Sequence, residues 1–440
     1  MRNQAAFFIK HTIMNTLEII YQAFQKAYKV TTDSRKVQKD AVFFALKGEN
    51  FDGNDFALKV AEEGIASLVV CDRNDIPEHA RIVKVEDSLK ALQDLACYHR
   101  HQMKAKVLSI TGTNGKTTTK ELVSAVLSQK YNIIHTEGNY NNHIGVPLTL
   151  LTIKPETEIA VVEMGANHPG EIDTLAHIAC PDYGLITNIG KAHLEGFGSF
   201  QGVINTKTEL YRYIKENGDF IFVNRGNDLL WNLSADQKRV SYGCHCAADY
   251  PVAPGECKPY LSVKWKKRLI QTRLVGEYNF ENAAAAIGVG QYFGVEDDKI
   301  QAALEAYQPT NSRSQVIESG KNHIIMDAYN ANPTSMQASV RNFRNICSEN
   351  HLLILGDMRE LGQESENEHK AILKLLEELN YKAAYLVGPN FCAYSGCKRW
   401  YTFPTVDDLY QFIESHPVEG KDILVKGSRG IRLEKILPLL

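Results

Sequence analysis

Apolar and polar positions along the 440 residues fall into alternating strand-like and helix-like runs. Up to about Met103, the runs AVFFALKG, ASLVVCD and ARIVKVED alternate with the helical patterns DFALKVAEEGI and LKALQDLACYHRHQ. They predict a small α/β module. Val107 to Leu127, VLSITGTNGKTTTKELVSAVL, then reads as a buried strand, a glycine-rich turn and an amphipathic helix. EIAVVEMG and DYGLITNIG predict further strands, GANHPGEI and VINTKTELYRYI predict helices, and KRVSYG with PYLSVKWKKRLIQTRLVG predicts a strand-rich edge. From Gly320 onward NHIIMDAYNANP, HLLILGDMRELG, KAAYLVG and DILVKGSRG alternate with helical runs, which predicts a doubly wound α/β module. The expected domains are 1–104, 105–311 and 312–440, with a linker at Pro309.

The strand–turn–helix at 107–127 carries the clearest chemistry. Gly112, Thr113, Asn114 and Gly115 form a turn tight enough for backbone N–H groups to face a polyphosphate, at the positive end of the following helix. Lys116 is placed to neutralise β- and γ-phosphates, and Thr117, followed by Thr118, to set a hydroxyl on Mg²⁺. Ile110 occupies the position of the first glycine in the usual G-x-x-x-x-G-K-[ST] pattern, with Gly112 inside the loop instead. Glu163 ends the strand EIAVVE, where an acid meets the Mg²⁺ beside a phosphate loop.

Other candidates are less committed. Ser34 and Arg35 in TTDSRKV suit either a solvated turn or a phosphate clamp. In NIIHTEGNYNNHIGVPLTLL, asparagines, glycine and proline interrupt regular structure. Asn139, Asn142 and His143 there offer neutral donors and acceptors for a sugar or diphosphate, or simple turn chemistry. Pro169 suits a first helical turn. His193 follows a strand and suits either a second Mg²⁺ or a structural role, and Lys207 by spacing alone belongs to the surface. Asn279 and Asn282 open a helix as caps or ligands, while Asp327, Asp357 and Lys426 end strands where doubly wound folds bind ligands.

Composition narrows the class. No apolar run reaches the roughly 20 residues that cross a bilayer, and a net charge of −3 gives no basic excess for nucleic acid. Nine cysteines without a C-x-x-C pair read as reduced thiols in a cytoplasm, and Cys244-His245-Cys246, the one cluster, lacks a second pair for zinc. Met14 starts a cleaner amphipathic segment, so the first thirteen residues read as an extension or an upstream start.

TDSRKV, FFALKGENFDG, TGTNGKTTTKE, GNYNNHIGVPLTLL, VVEMGANHPGEI, TNIGKAHLEGFGS, DAYNANPTSM, LGDMRELG and LVKGSRG occur in that order. From about Val30 to the C-terminus the chain thereby resembles the Mur ligases of bacterial cell-wall synthesis. EMGANHPGEI and DAYNANP favour the last ligase of that series.

The resemblance implies three domains: a small α/β one for the uridine nucleotide, a central ATPase-like one with a mostly parallel sheet, and a Rossmann-like C-terminal one. It implies ATP and Mg²⁺ on Lys116 and Thr117, Mg²⁺ also on Glu163 and His193, and a carbamylated Lys207. Asn282 falls on the adenine side, Arg313 and Asp327 close over ATP, and Ser34 and Arg35 take the uridine diphosphate. The implied reaction joins D-alanyl-D-alanine to UDP-N-acetylmuramoyl-tripeptide through an acyl phosphate, in a cytoplasmic monomer. Another amide ligase of the superfamily, such as a folylpolyglutamate synthetase or an earlier Mur ligase, is the alternative. A regulatory or motor ATPase would leave Ser34, Arg35 and Asn139 to His143 without a task.

Overall fold

A computed structural model describes residues 16–309, 313–394 and 399–440. The thirteen residues ahead of Met14 lie outside the described residues.

The first unit is a four-stranded parallel sheet in the order Val30–Thr31, Val42–Phe44, Leu68–Cys71, Ile82–Lys84. Parallel strands covered on both faces need apolar side chains at successive positions, and Val42, Phe43 and Phe44 are all fully buried. Phe43 packs with Val60 and Val69 on one face, whereas Phe44 joins Phe24, Leu92 and Leu95 on the other. Each such aromatic contributes about 1.5–3 kcal/mol of burial.

Helix Ser88–Gln102 joins this unit to the next. Asp87 caps its N-terminus by accepting from the Lys90 N–H, and His99, Arg100 and His101 complement the dipole in its last turn. Its apolar face shares one cluster with Val107, Val146, Ile172 and Leu175 of the central unit. Arg100 reaches Asp182 at 2.7 Å. Buried His99 holds the Ile153 carbonyl oxygen at 2.8 Å, and burial lowers its pKa.

Seven strands form the central sheet, in the order Tyr250–Pro251, Arg239–Gly243, Phe220–Asn224, Tyr183–Ile186, Lys106–Thr111, Ile159–Glu163, Ile133–His135. All its pairings are parallel. Lys106–Thr111 and Ile159–Glu163 are adjacent, so Thr111 and Glu163 emerge side by side at the carboxyl edge. The strand-rich segment forms a separate antiparallel sheet of Ala253–Cys257, Tyr260–Trp265 and Arg268–Val275.

The C-terminal sheet runs Gln315–Glu318, His323–Asp327, Asp422–Lys426, His351–Gly356, Ala384–Val387, Tyr401–Phe403. Its first strand is antiparallel to the second and the rest are parallel, so the sheet is mixed. Asp327 and Lys426 are register partners at its carboxyl edge.

Three local expectations are corrected. Gly145–Leu150 is a short helix, with Pro147 in its first turn where a missing N–H costs nothing. Helix Glu171–Ala179 begins after Pro169, because Gly170 adopts φ 84° and serves as its N-cap. Lys207 is buried rather than on the surface, at 2% exposure, because its side chain runs under the Phe197 ring toward the Ala166 carbonyl.

Candidate active site

A cavity of about 1220 Å³ opens where the carboxyl edge of the central sheet faces that of the C-terminal sheet. Its wall includes Thr113 through Thr118, Glu163, His193, Asn282, Arg313, Asp327 and Lys426. Residues more than 300 positions apart thus meet at one volume.

The phosphate loop is shaped by positions that exclude a side chain. Gly115 has φ 77°, and a Cβ on it would stand 2.3 Å from Asn282 Oδ1. Gly112 has φ 144° and the same test meets Thr187 Oγ1. Asn188 holds the loop from the neighbouring strand end: its backbone carbonyl accepts from the Thr113 N–H at 2.9 Å and its Oδ1 from the Asn114 N–H at 3.0 Å. Helix Lys116–Leu127 follows at once, so its first-turn N–H groups, which no helical carbonyl takes, lie at the cavity. Lys116 Nζ folds back onto the carbonyl oxygens of Gly112 and Thr113, at 2.8 and 3.0 Å. Burial lowers its pKa, the Arg313 charge adds to that, and Glu163 opposes it. An anion in the loop offers this lysine a better acceptor than two carbonyls.

Glu163 is 1% exposed. Its Oε1 accepts from Asn141 Nδ2 at 2.7 Å, while buried Oε2 has no hydrogen-bond partner among the described residues. A buried carboxylate oxygen without a donor is costly unless a cation completes it, so the residues present fit Mg²⁺ held by Glu163 and the Thr117 hydroxyl. Behind it, Lys120, also buried, donates to the Thr136 carbonyl at 2.6 Å, and Thr136 Oγ1 accepts from the Glu163 N–H at 2.9 Å. Lys120 therefore positions the strand end that carries Glu163.

His193 lies at the cavity in a left-handed turn, φ 51°, ahead of the short helix Leu194–Phe197, and its Nδ1 contacts the Glu360 carboxylate of the C-terminal unit. Lys191 pairs with Glu368 of the same unit at 2.8 Å. Lys207 stands one layer behind the wall. Its Nζ is 3.5 Å from the carbonyl oxygen of Ala166, which lines the cavity, and lies over the Phe197 ring. Burial, helped by the Lys116 charge, pushes its pKa down to about 7.

From the C-terminal unit, Asp327 Oδ2 accepts from Lys426 Nζ at 2.6 Å and from Ser339 Oγ at 2.9 Å. Arg313 stacks on Tyr329 at 3.7 Å, and its buried Nε has no hydrogen-bond partner among the described residues. Asn282 accepts from Thr119 Oγ1 at 3.0 Å and donates to Asn279 at 2.8 Å, inside the helix rather than capping it. Asn139, Asn142 and His143 lie on the exposed rim, and Asn142 Oδ1 accepts from the N–H groups of Ile144 and Gly145, opening the short helix there.

Ser34 and Arg35 are not among the residues lining this cavity. Arg35 is 85% exposed in its side chain and grips Asp33 through two 2.9 Å bonds, which lower the Asp33 pKa to about 2. Cys244 and Cys246 are exposed and take no part. Sequence reasoning missed Lys120, Asn141, Asn188, Asn332 and Glu360. Each lies inside a quoted motif, but their roles depend on partners far along the chain.

A phosphate loop that shares its cavity with an acidic strand end and with Arg313 and Lys426 of the C-terminal unit defines a phosphate-loop nucleotide-binding protein. Comparison with known proteins makes the class specific. Residues 26–100 match the model described as the Mur ligase family catalytic domain, 110–290 the Mur ligase middle domain, and 312–429 the Mur ligase glutamate ligase domain. The chain belongs to the Mur ligase family. It is 35% identical to the UDP-N-acetylmuramoyl-tripeptide--D-alanyl-D-alanine ligase of Bacillus subtilis, over 98% of each chain. Among solved structures it resembles MurF from Acinetobacter baumannii, at TM-score 0.82 and 31% identity, covering 93% of this chain and 92% of that one. It also resembles the MurF ligase from Thermotoga maritima in complex with ADP, at TM-score 0.81 and 27% identity, covering 93% and 96%.

Proposed function

We propose that the protein joins D-alanyl-D-alanine to UDP-N-acetylmuramoyl-tripeptide, splitting ATP to ADP and phosphate. The observation that carries this reading is a phosphate loop and an acidic strand end set opposite Arg313, Asp327 and Lys426, in a chain similar end to end to ligases of that name. On this reading 1–104 takes the uridine nucleotide through Ser34 and Arg35, 105–311 takes ATP, and 312–440 closes over it.

A terminal carboxylate oxygen of the tripeptide attacks the γ-phosphorus in line as ADP departs, which leaves an acyl phosphate. The dipeptide amine then attacks the acyl carbon, phosphate leaves, and the amine's proton goes to solvent or to the departing phosphate. Two anions must approach each other first. Lys116 and the helix N-terminus face the triphosphate, and Arg313 brings a further positive charge from the C-terminal unit. Thr117 and Glu163 would hold Mg²⁺ and His193 a second ion, whose charge would offset that of the polyphosphate.

Asn282 packs against the loop at Gly115 and supports the adenine side, while Asn139, Asn142 and His143 at the rim suit the sugar or diphosphate. An amine with its pKa near 7 is partly neutral in a cell, so Lys207 Nζ can take up CO₂ to form a carbamate and release one proton. The anion so formed would lie beside Ala166, which lines the cavity. Closing Arg313 and Asp327 over the site keeps water from the acyl phosphate. ATP and the UDP-linked peptide are soluble anions and D-alanyl-D-alanine is a soluble zwitterion, which supports a cytoplasmic site of action; no described helix is long and apolar enough to cross a membrane. Because every group named comes from one chain, a monomer suffices.

The test is to incubate the protein with ATP, Mg²⁺, D-alanyl-D-alanine and UDP-linked tripeptides differing at the third residue, then weigh the products. A mass equal to tripeptide plus dipeptide minus water supports the reading. Ligation of glutamate to a folate, or of a single amino acid to a shorter muramyl peptide, would replace it.

A further inference from the structure

Helix Ser88–Gln102 belongs to the first unit and helix Glu171–Ala179 to the central one, and both carry sulfur to their shared boundary. Cys97 and Cys180 are 83 residues apart in sequence, so no spacing pattern links them. Their sulfurs nevertheless stand 3.7 Å apart. His101, one helical turn after Cys97 on the same face, places its Nδ1 3.8 Å from the Cys97 sulfur. One ligand atom from each of the three lies within 4.8 Å of the others.

We propose that Cys97, His101 and Cys180 form a zinc site that pins the first unit to the central one, with water as the fourth ligand. Distance favours metal over a disulfide. Two sulfurs bound to one tetrahedral zinc at about 2.3 Å stand about 3.8 Å apart. The sulfurs already have that separation, whereas a disulfide needs about 2.05 Å. An imidazole as third donor completes a zinc set and contributes nothing to a disulfide.

Zinc binding displaces the thiol protons of Cys97 and Cys180 to water. His101 Nδ1 now holds the Cys97 carbonyl at 2.7 Å. Because His101 is exposed, water replaces that bond when the ring turns, and the same exposure is the entry path.

The full-length protein, reduced and stripped with a chelator, is titrated with Zn²⁺ against a chromophoric competitor, and with Co²⁺ to read the thiolate-to-cobalt absorption band. One equivalent of zinc bound, a cobalt band, and a rise in melting temperature with zinc are expected. Cys97→Ser and Cys180→Ser lose the band, His101→Ala weakens binding at least tenfold, and Cys244→Ser changes none of these. His101→Ala, at an exposed helix position, keeps the test decisive if a cysteine variant fails to fold. Reduced wild-type protein that takes up no zinc, zinc retained by Cys97→Ser and Cys180→Ser, or a Cys97–Cys180 disulfide with no metal bound after reduction would overturn the proposal.

Discussion

Asn332 Nδ2 donates to Asn114 Oδ1 at 2.7 Å, so a residue of the C-terminal unit touches the phosphate loop directly. The same Asn332 caps helix Pro333–Ile346 by accepting from the Ser335 N–H, and Ser335 Oγ accepts in return from the Asn332 N–H. Loop geometry and the position of that helix are therefore linked through one side chain.

Asn332→Ala removes both interactions. Loss of the cap costs about 1 kcal/mol, read as a lower melting temperature. The KM for ATP is expected to rise severalfold, because the loop loses its contact to the closing unit. An unchanged KM with a lowered melting temperature would reduce Asn332 to a cap alone.

Lys116→Ala is expected to lower kcat for ligation by a factor on the order of 10² or more, with the fold retained, since among the described residues the side chain bonds only loop carbonyls. Phosphate release and product mass check it together. Glu163→Gln keeps the shape and a partner for Asn141 but loses the charge proposed to hold Mg²⁺. The Mg²⁺ concentration giving half-maximal rate should then rise at least about tenfold.

Lys207 gives a pH dependence of definite sign. Its pKa falls from an ordinary lysine value to about 7 on folding, so between about 7 and the ordinary value the unfolded chain binds more protons. Stability from this group therefore rises with pH across that window, and the penalty of burying the charge is complete below about 7. Lys207→Met should unfold at a higher temperature than wild type near neutrality, provided the wild type is kept free of CO₂. Ligation by wild type should fall as pH drops through about 7, when the amine is protonated and takes up no CO₂. Lys207→Ala loses most activity and recovers part of it with short carboxylic acids.

Arg35 is exposed and bonded only to Asp33 among the described residues, so Arg35→Ala should leave the melting temperature unchanged. If it takes the uridine diphosphate, the KM for the UDP-linked peptide rises about tenfold or more with the KM for ATP unaltered. Equal effects on both constants would remove that role.

The strand–turn–helix at 107–127 was legible because strand period, glycines, lysine and helix all fall within one short stretch, and local rules suffice there. The parallel central sheet was implied by the family resemblance, and its continuous apolar strands fit it. Gly145–Leu150 was hidden because a proline and clustered asparagines read as breakers, although Pro147 sits where a helix tolerates it. Lys207 looked like surface because its helix is amphipathic only in part, and the cover over it comes from elsewhere in the chain. Lys120 in TGTNGKTTTKE was passed over for the same reason: its task lies in a bond to Thr136, which no spacing within the motif announces. Asn332 and Glu360 act on residues of another unit, information that only the assembled domains carry.

The most direct measurement of the whole account is ATP-dependent phosphate release with each acceptor omitted in turn. Release that needs both the UDP-linked muramyl tripeptide and D-alanyl-D-alanine, and matches amide formed one for one, is the predicted result. Release at the full rate with either of them left out would contradict it.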